Sequence, residues 1–188
     1  MDFSVNILAL GIPFSVALLL ASLGEMFNQR AGVFNLGCEG IMAMGAFLGM
    51  LVPYCVGHGG PVPETFNVLG LLLAMAVGAL LGILFGLVVV SFRAPQGIAG
   101  IGLQMFGVGT AGTLFRHFVG GTQSVPGIDR LPIPVLSEIP FLGPVLFSHN
   151  PLVYLTFLLV PAAWYILFRT PWGLRVRASG ANPRAADS

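Results

Sequence analysis

Few side chains in this chain could carry chemistry, and their spacing closes most routes. Glu25, Arg30 and Glu39 stand around one short stretch, NQRAGVFNLGCEG, from Asn28 to Gly40. Two acids can share acid–base work, but these are far apart in sequence, and nothing beside them suggests it. His58, His117 and His149 are scattered, and Cys38 and Cys55 have the spacing of neither a zinc site nor a disulfide framework. No metal site is expected. Gly-x-Ser-x-Gly and His-Glu-x-x-His are absent, and so is a phosphate loop, since the chain has no lysine. ATP hydrolysis by this chain alone is excluded. GVGTAG, Gly107 to Gly112, spells the dinucleotide fingerprint. That fingerprint needs a preceding strand and a solvated helix N-terminus, whereas this one lies inside an apolar run. Its glycines are read as helix-packing residues or places for a kink. No catalytic residue and no cofactor are expected on this chain.

Uncharged polar groups are more informative. Gln96 and Gln104 are a little over two helical turns apart, so they project from similar faces of one helix. Amides donate and accept hydrogen bonds and suit a path for a neutral polar solute; they equally suit a bond between two helices. Glu39 precedes Gly40 at the start of an apolar run. In lipid a carboxylate is costly, so it should face protein or water and pair, with Arg30 the obvious partner. The alternative is a solvated charge at headgroup level.

The elements that hold these groups are membrane spans. Only 8% of residues are charged, 56% are hydrophobic and the mean hydropathy is +0.92; a soluble domain carries about 25% charged residues. The net charge of +1 gives no bias toward nucleic acid. Apolar stretches at about 5–27, 36–57, 66–92, 97–118 and 151–169 each approach the ~20 residues a helix needs to cross a bilayer. The period-two alternation of a barrel is absent. The fold class is therefore all-α, a polytopic transmembrane helix bundle, with Pro13 and Pro161 inside spans. The start, MDFSVNIL, lacks a basic n-region, so the first stretch is expected to stay as a span.

Arginines orient the set. Placing Arg30, Arg93, Arg169, Arg175, Arg177 and Arg184 in the cytoplasm leaves only Arg116 and Arg130 outside, which satisfies the positive-inside tendency. Residues 119–150 then form an outer loop, where Pro126, Pro132, Pro134, Pro140 and Pro144 oppose a regular helix and favour extended chain with a short turn. Gly78, Gly82 and Gly86 make a small-residue stripe, read as a helix-packing face. The last stretch, RTPWGLRVRASGANPRAADS, is a basic cytoplasmic segment in which Asn182-Pro183 opens a helix. Because the sequence stops just after that opening, it is expected to be part of a longer protein.

LGEMFNQRAGVFNLGCEGIMAMGAF, RTPWGLRVRASGANPRAADS and the outer-loop LPIPVLSEIPFLGPVLF resemble the membrane permease subunits of bacterial ABC importers. The nearest group is the simple-sugar and nucleoside permeases, within the superfamily that also serves ribose and branched-chain amino acids. The resemblance covers essentially the whole chain. It implies a single permease domain, 1–188, incomplete at its C-terminus, in the cell (inner) membrane. Asn35, Gly37, Glu39 and Gly40 match the family's signature loop. Gly180, Asn182, Pro183, Arg184, Ala185, Ala186 and Asp187, within a cytoplasmic segment 170–188, match the element that docks on the ATPase. Ala181 departs from the usual Glu, and Gln104 from the frequent Asn. The implied partners are cytoplasmic ABC ATPase subunits that use the ATP, a second permease subunit, an extracytoplasmic solute-binding protein and membrane lipid. The rival reading is an ion-gradient-driven carrier of a small polar solute. Such carriers place ionisable groups mid-span, whereas these charges cluster at span ends.

Overall fold

The computed structural model describes residues 3–57, 62–121, 127–131 and 142–182. Among them every regular element is helical: α1 (Phe3–Arg30), α2 (Cys38–Gly57), α3 (Glu64–Gly86), α4 (Gln96–Phe118), α5 (Leu142–Leu146), α6 (Pro151–Arg169) and α7 (Pro171–Ala181). α3 runs on into a π-helical turn, Leu87–Ser91. Five helices are long and apolar enough to cross a membrane: α1 from Ile7, α2, α3 with its π turn, α4 and α6. Helices suit such apolar sequence because lipid offers no partner for a backbone N–H or C=O, and a helix satisfies its own.

Two elements depart from the sequence reading. Residues 170–181 were expected as a basic segment whose helix opens at Asn182-Pro183. A further helix starts earlier, where the Thr170 side chain accepts from Gly173 N at 3.2 Å and Pro171 takes the first helical position; Pro183 lies outside the described residues. Asn150 and Pro151 start α6 in the same way. A polar cap followed by proline satisfies one free N–H and places a residue that lacks one where none is needed. The second departure is α5. Pro144 was expected to exclude helix, but it sits third in a single helical turn, where its missing N–H breaks no bond.

The residues pack as two compact units, Met1–Val33 with Asp129–Ser188, and Phe34–Ile128. In the first, α1 packs against α5, α6 and α7. Just before α6, the backbone N–H of buried His149 donates to the Tyr154 hydroxyl at 3.0 Å, and Leu131 N donates to His149 O at 3.0 Å. His149 thus serves the fold, and the described residues hold no group of His, Cys, Asp and Glu arranged for a metal ion.

In the second unit α2 is central and packs on both α3 and α4. Glycine makes both crossings possible. A Cβ on Gly70 of α3 would collide with Gly49 O of α2, and one on Gly107 of α4 would stand 2.5 Å from Gly40 C of α2. The stripe expected to pack does not do so here. A Cβ on Gly78 would meet only Ile41 Cγ2, at 3.7 Å, and Gly82 and Gly86 have nothing within 4 Å. Of the GVGTAG glycines, Gly107 alone touches a neighbouring helix; Gly109 and Gly112 face open space.

The two thiols test the orientation argued from arginine. Cys55 is exposed near the end of α2 and Cys38 half-buried at its start. On intact cells a membrane-impermeant maleimide is expected to label Cys55 and leave Cys38 unmodified. Labelling of Cys38 alone would invert the topology.

Candidate functional site

The chain leaves α1 through a glycine turn. Gly32 has φ +82°, its N–H donates to Gln29 O at 3.1 Å, and Val33 N donates to Asn28 O at 2.9 Å. That pair of bonds satisfies the last carbonyls of a helix and needs a left-handed residue, which glycine supplies without strain.

Within the second unit, the residues before α2 lie along the side of α4. Phe34 N donates to Gln96 Oε1 at 2.8 Å, at the first turn of α4. A Cβ on Gly100 would stand 2.8 Å from Leu36 N, and one on Gly37 would stand 2.8 Å from Leu103. A Cβ on Gly40 would stand 2.7 Å from the Gln104 Cα. Residues 34, 36, 37 and 40 thus climb α4 past residues 96, 100, 103 and 104. Gly37 N donates to Asn35 Oδ1 at 2.8 Å, and Ile41 N to Gly37 O at 3.1 Å opens the helical ladder. Extended backbone has no internal partners; here Gln96 and buried Asn35 supply them.

α2 therefore begins beside the middle of α4. From Gln96 to Gln104 the axis rises about 12 Å, at about 1.5 Å per residue. α3 gives the same result, because Gly78 faces Ile41 while α3 and its π turn continue to Ser91. Both neighbours thus overshoot the start of α2 by two turns or more. The second half of the connection thus runs along α4, with Asn35 and Glu39 holding the entry to α2 by hydrogen bonds.

Glu39 sits at that recessed start. Its Oε2 accepts from Gln104 Nε2 at 2.6 Å. Arg30, its expected partner, has its guanidinium 5.4 Å from the centre of the Phe168 ring, where Arg177 also lies at 5.2 Å. An amide within reach on the adjoining helix serves the carboxylate, and an aromatic face serves the guanidinium. Both Gln96 and Gln104 turn toward the 34–40 stretch, as their spacing required. Each bonds across elements, which the sequence left open against a solute path.

A hollow of about 250 Å³ beside α4, lined by Leu84, Phe85, Val88, Leu103 and Phe106 among others, presents apolar side chains alone. It offers a polar solute nothing. Sequence reasoning read Gly107 as a packing residue or kink but missed Gly100, two turns away on α4; with Gly37 and Gly40 they were the available sign of backbone-to-backbone packing.

Gly180 and Asn182, matched to the ATPase-docking element, lie in the first unit; Pro183, Arg184, Ala185, Ala186 and Asp187 fall outside the described residues. α7 folds back onto the end of α1. Phe27 and Trp172 rings lie 6.1 Å apart, and a Cβ on Gly180 would collide with Arg30 O and stand 2.8 Å from Gly32 N.

Residues 7–188 match the family model described as the branched-chain amino acid transport system / permease component. The chain belongs to this permease family. A guanosine ABC transporter permease protein of Bacillus subtilis is 37% identical over 201 residues, 98% of this chain and 60% of the relative. A nucleoside ABC transporter permease protein of Lactococcus lactis is 32% identical over 178 residues, 93% of this chain and 56% of the relative. This permease sequence thus spans between half and two thirds of the curated relatives it matches. No solved structure matches it. With five span-length helices and this family, the permease is a multi-pass membrane protein.

Proposed function

We propose that this permease is the translocating subunit of an ATP-driven importer for nucleosides or simple sugars. The similarity to the guanosine permease over 98% of the chain carries the reading. The apolar spans, the absence of a catalytic constellation in the sequence, and a polar Glu39–Gln104 pair suited to a neutral hydroxylated solute support it. In this reading cytoplasmic ABC ATPase subunits bind the segment from Gly180 to Asp187, including Asn182, Pro183, Arg184, Ala185 and Ala186. A second permease subunit faces the first across the solute path, and an extracytoplasmic binding protein delivers solute to the outer loop. The chain itself performs no ATP chemistry; nucleotide closes the partner subunits, and alternating access follows.

The test is uptake of radiolabelled guanosine into proteoliposomes holding the full-length permease, its ATPase and the binding protein. ATP-dependent uptake that stops when the ATPase is omitted is the expected result. Uptake driven by an imposed ion gradient without ATPase would favour the carrier instead.

A further inference from the structure

The recessed start of α2 places an ionisable group where a span should be apolar. The 23 residues of α4 form a rod of about 34 Å, and the hydrocarbon core is about 30 Å thick. Gln104 lies about 12 Å from the first residue of that rod, so its bonded partner Glu39 stands well inside the core and not at headgroup level.

The described residues do not enclose the pair. Glu39 is exposed and Gln104 half-buried. Around Gln104 on α4, Ile101, Met105 and Val108 are 49%, 72% and 50% exposed. An exposed face of apolar side chains thus carries one polar point. A carboxylate at this depth facing lipid is costly, so the face must be turned to protein or to a water-filled path. Gln104 supplies one hydrogen bond to Glu39 Oε2, and a carboxylate has about four acceptor sites. Most of its capacity is left for a donor arriving from outside the chain. Vicinal hydroxyls of a sugar ring are donors of that kind, spaced to reach both oxygens of one carboxylate.

We infer that Glu39, held by Gln104, is a solute-recognition residue that accepts hydrogen bonds from adjacent ring hydroxyls of the transported sugar or nucleoside. This rests on the proposed import function. It adds that specificity is read by a carboxylate two turns inside the membrane, and that Gln104 positions that carboxylate.

The experiment compares guanosine with 2′-deoxyguanosine, which lacks one hydroxyl of the pair, in the same proteoliposomes of full-length permease, ATPase and binding protein. The binding protein is saturated, so that discrimination is read at the permease. Hydrogen bonds to a charged group are the strong ones. Glu39→Gln is therefore expected to raise the half-saturating concentration for guanosine about tenfold or more and to change that for the deoxy analogue by less than about threefold. Gln104→Leu, which keeps the carboxylate and removes its holder, should shift the ratio in the same direction by a smaller factor. It decides the matter should Glu39→Gln fail to accumulate. A fall in maximal rate alone, or equal losses for both solutes, would make Glu39 and Gln104 a structural bond between helices and overturn the inference. Wild-type vesicles that take up neither solute with ATP would overturn the import reading itself, and the inference with it.

Discussion

Gly107→Val is expected to remove the permease from the membrane fraction, whereas Gly109→Val on the same helix accumulates as the wild type does. A Cβ at 107 would stand 2.5 Å from Gly40 C and 2.6 Å from Gly40 Cα. These are backbone atoms, which cannot swing aside as the tip of a side chain can. Gly40 in turn lies against the Gln104 backbone, so neither helix can yield without moving the other. Overpacking a core by a methylene or two costs about 1–3 kcal/mol. Forcing two helix axes apart also removes the dispersion contacts along the crossing, so the loss should reach the upper end or beyond. Total stabilities are about 5–15 kcal/mol; such a loss leaves a protein that is degraded or melts early. At Gly109 nothing lies within 4 Å, and removing a helix-interior glycine is mildly favourable. Immunoblots of membranes and melting in detergent measure both. Equal behaviour of the two variants would mean that the α2–α4 crossing is not backbone-to-backbone.

Gly180→Val is expected to abolish solute uptake while all the spans insert normally. The collision at 180 is with Arg30 O and with Gly32 N, at the glycine turn that ends α1. Gly32 cannot give way, because at φ +82° its backbone is already in the one region that closes the turn. The last turn of α7 must therefore lift away from α1, taking with it the segment proposed to dock on the ATPase. Beyond Gly32 the chain passes directly into the stretch that carries Glu39. Uptake should fall to background in vesicles, while impermeant labelling of Cys55 stays at the wild-type level. Wild-type uptake by Gly180→Val would remove the α7–α1 contact from the transport mechanism.

Helix positions were legible in the sequence because hydrocarbon imposes a single requirement, a long apolar run, and hydropathy reports it directly. The caps at Asn150 and Thr170 were legible too, as a polar residue followed by proline, though only Asn182-Pro183 was read that way. What could not be read was where each run begins in space. Glu39 and Gln104 are 65 residues apart, and no local pattern brings them together. The same limit explains the glycines. Gly82 and Gly107 look alike in sequence, each small and in an apolar helix. Whether a neighbour's backbone arrives at that point depends on crossing geometry, which composition does not encode. Arg30 was offered by charge as the partner of Glu39, with a solvated charge as the alternative; neither the Phe168 ring beside Arg30 nor the Gln104 amide on Glu39 was legible locally.

The stretch from Phe34 to Gly40 also fixes an order of assembly. Its partners on α4 follow it by 62 residues at Gln96 and 65 at Gln104. At about 5–20 residues per second, roughly 3–13 s of synthesis separate the two sides of these bonds. During that interval Phe34 N lacks its acceptor, and Glu39 lacks the amide that holds it. Among the described residues α3 offers only apolar side chains and glycine beside α2's first turn, and no replacement for them. The second helix therefore waits, unseated at its leading end, until the fourth has emerged from the ribosome. Release of the nascent chain before Gln104 would leave Glu39 without the amide that holds it.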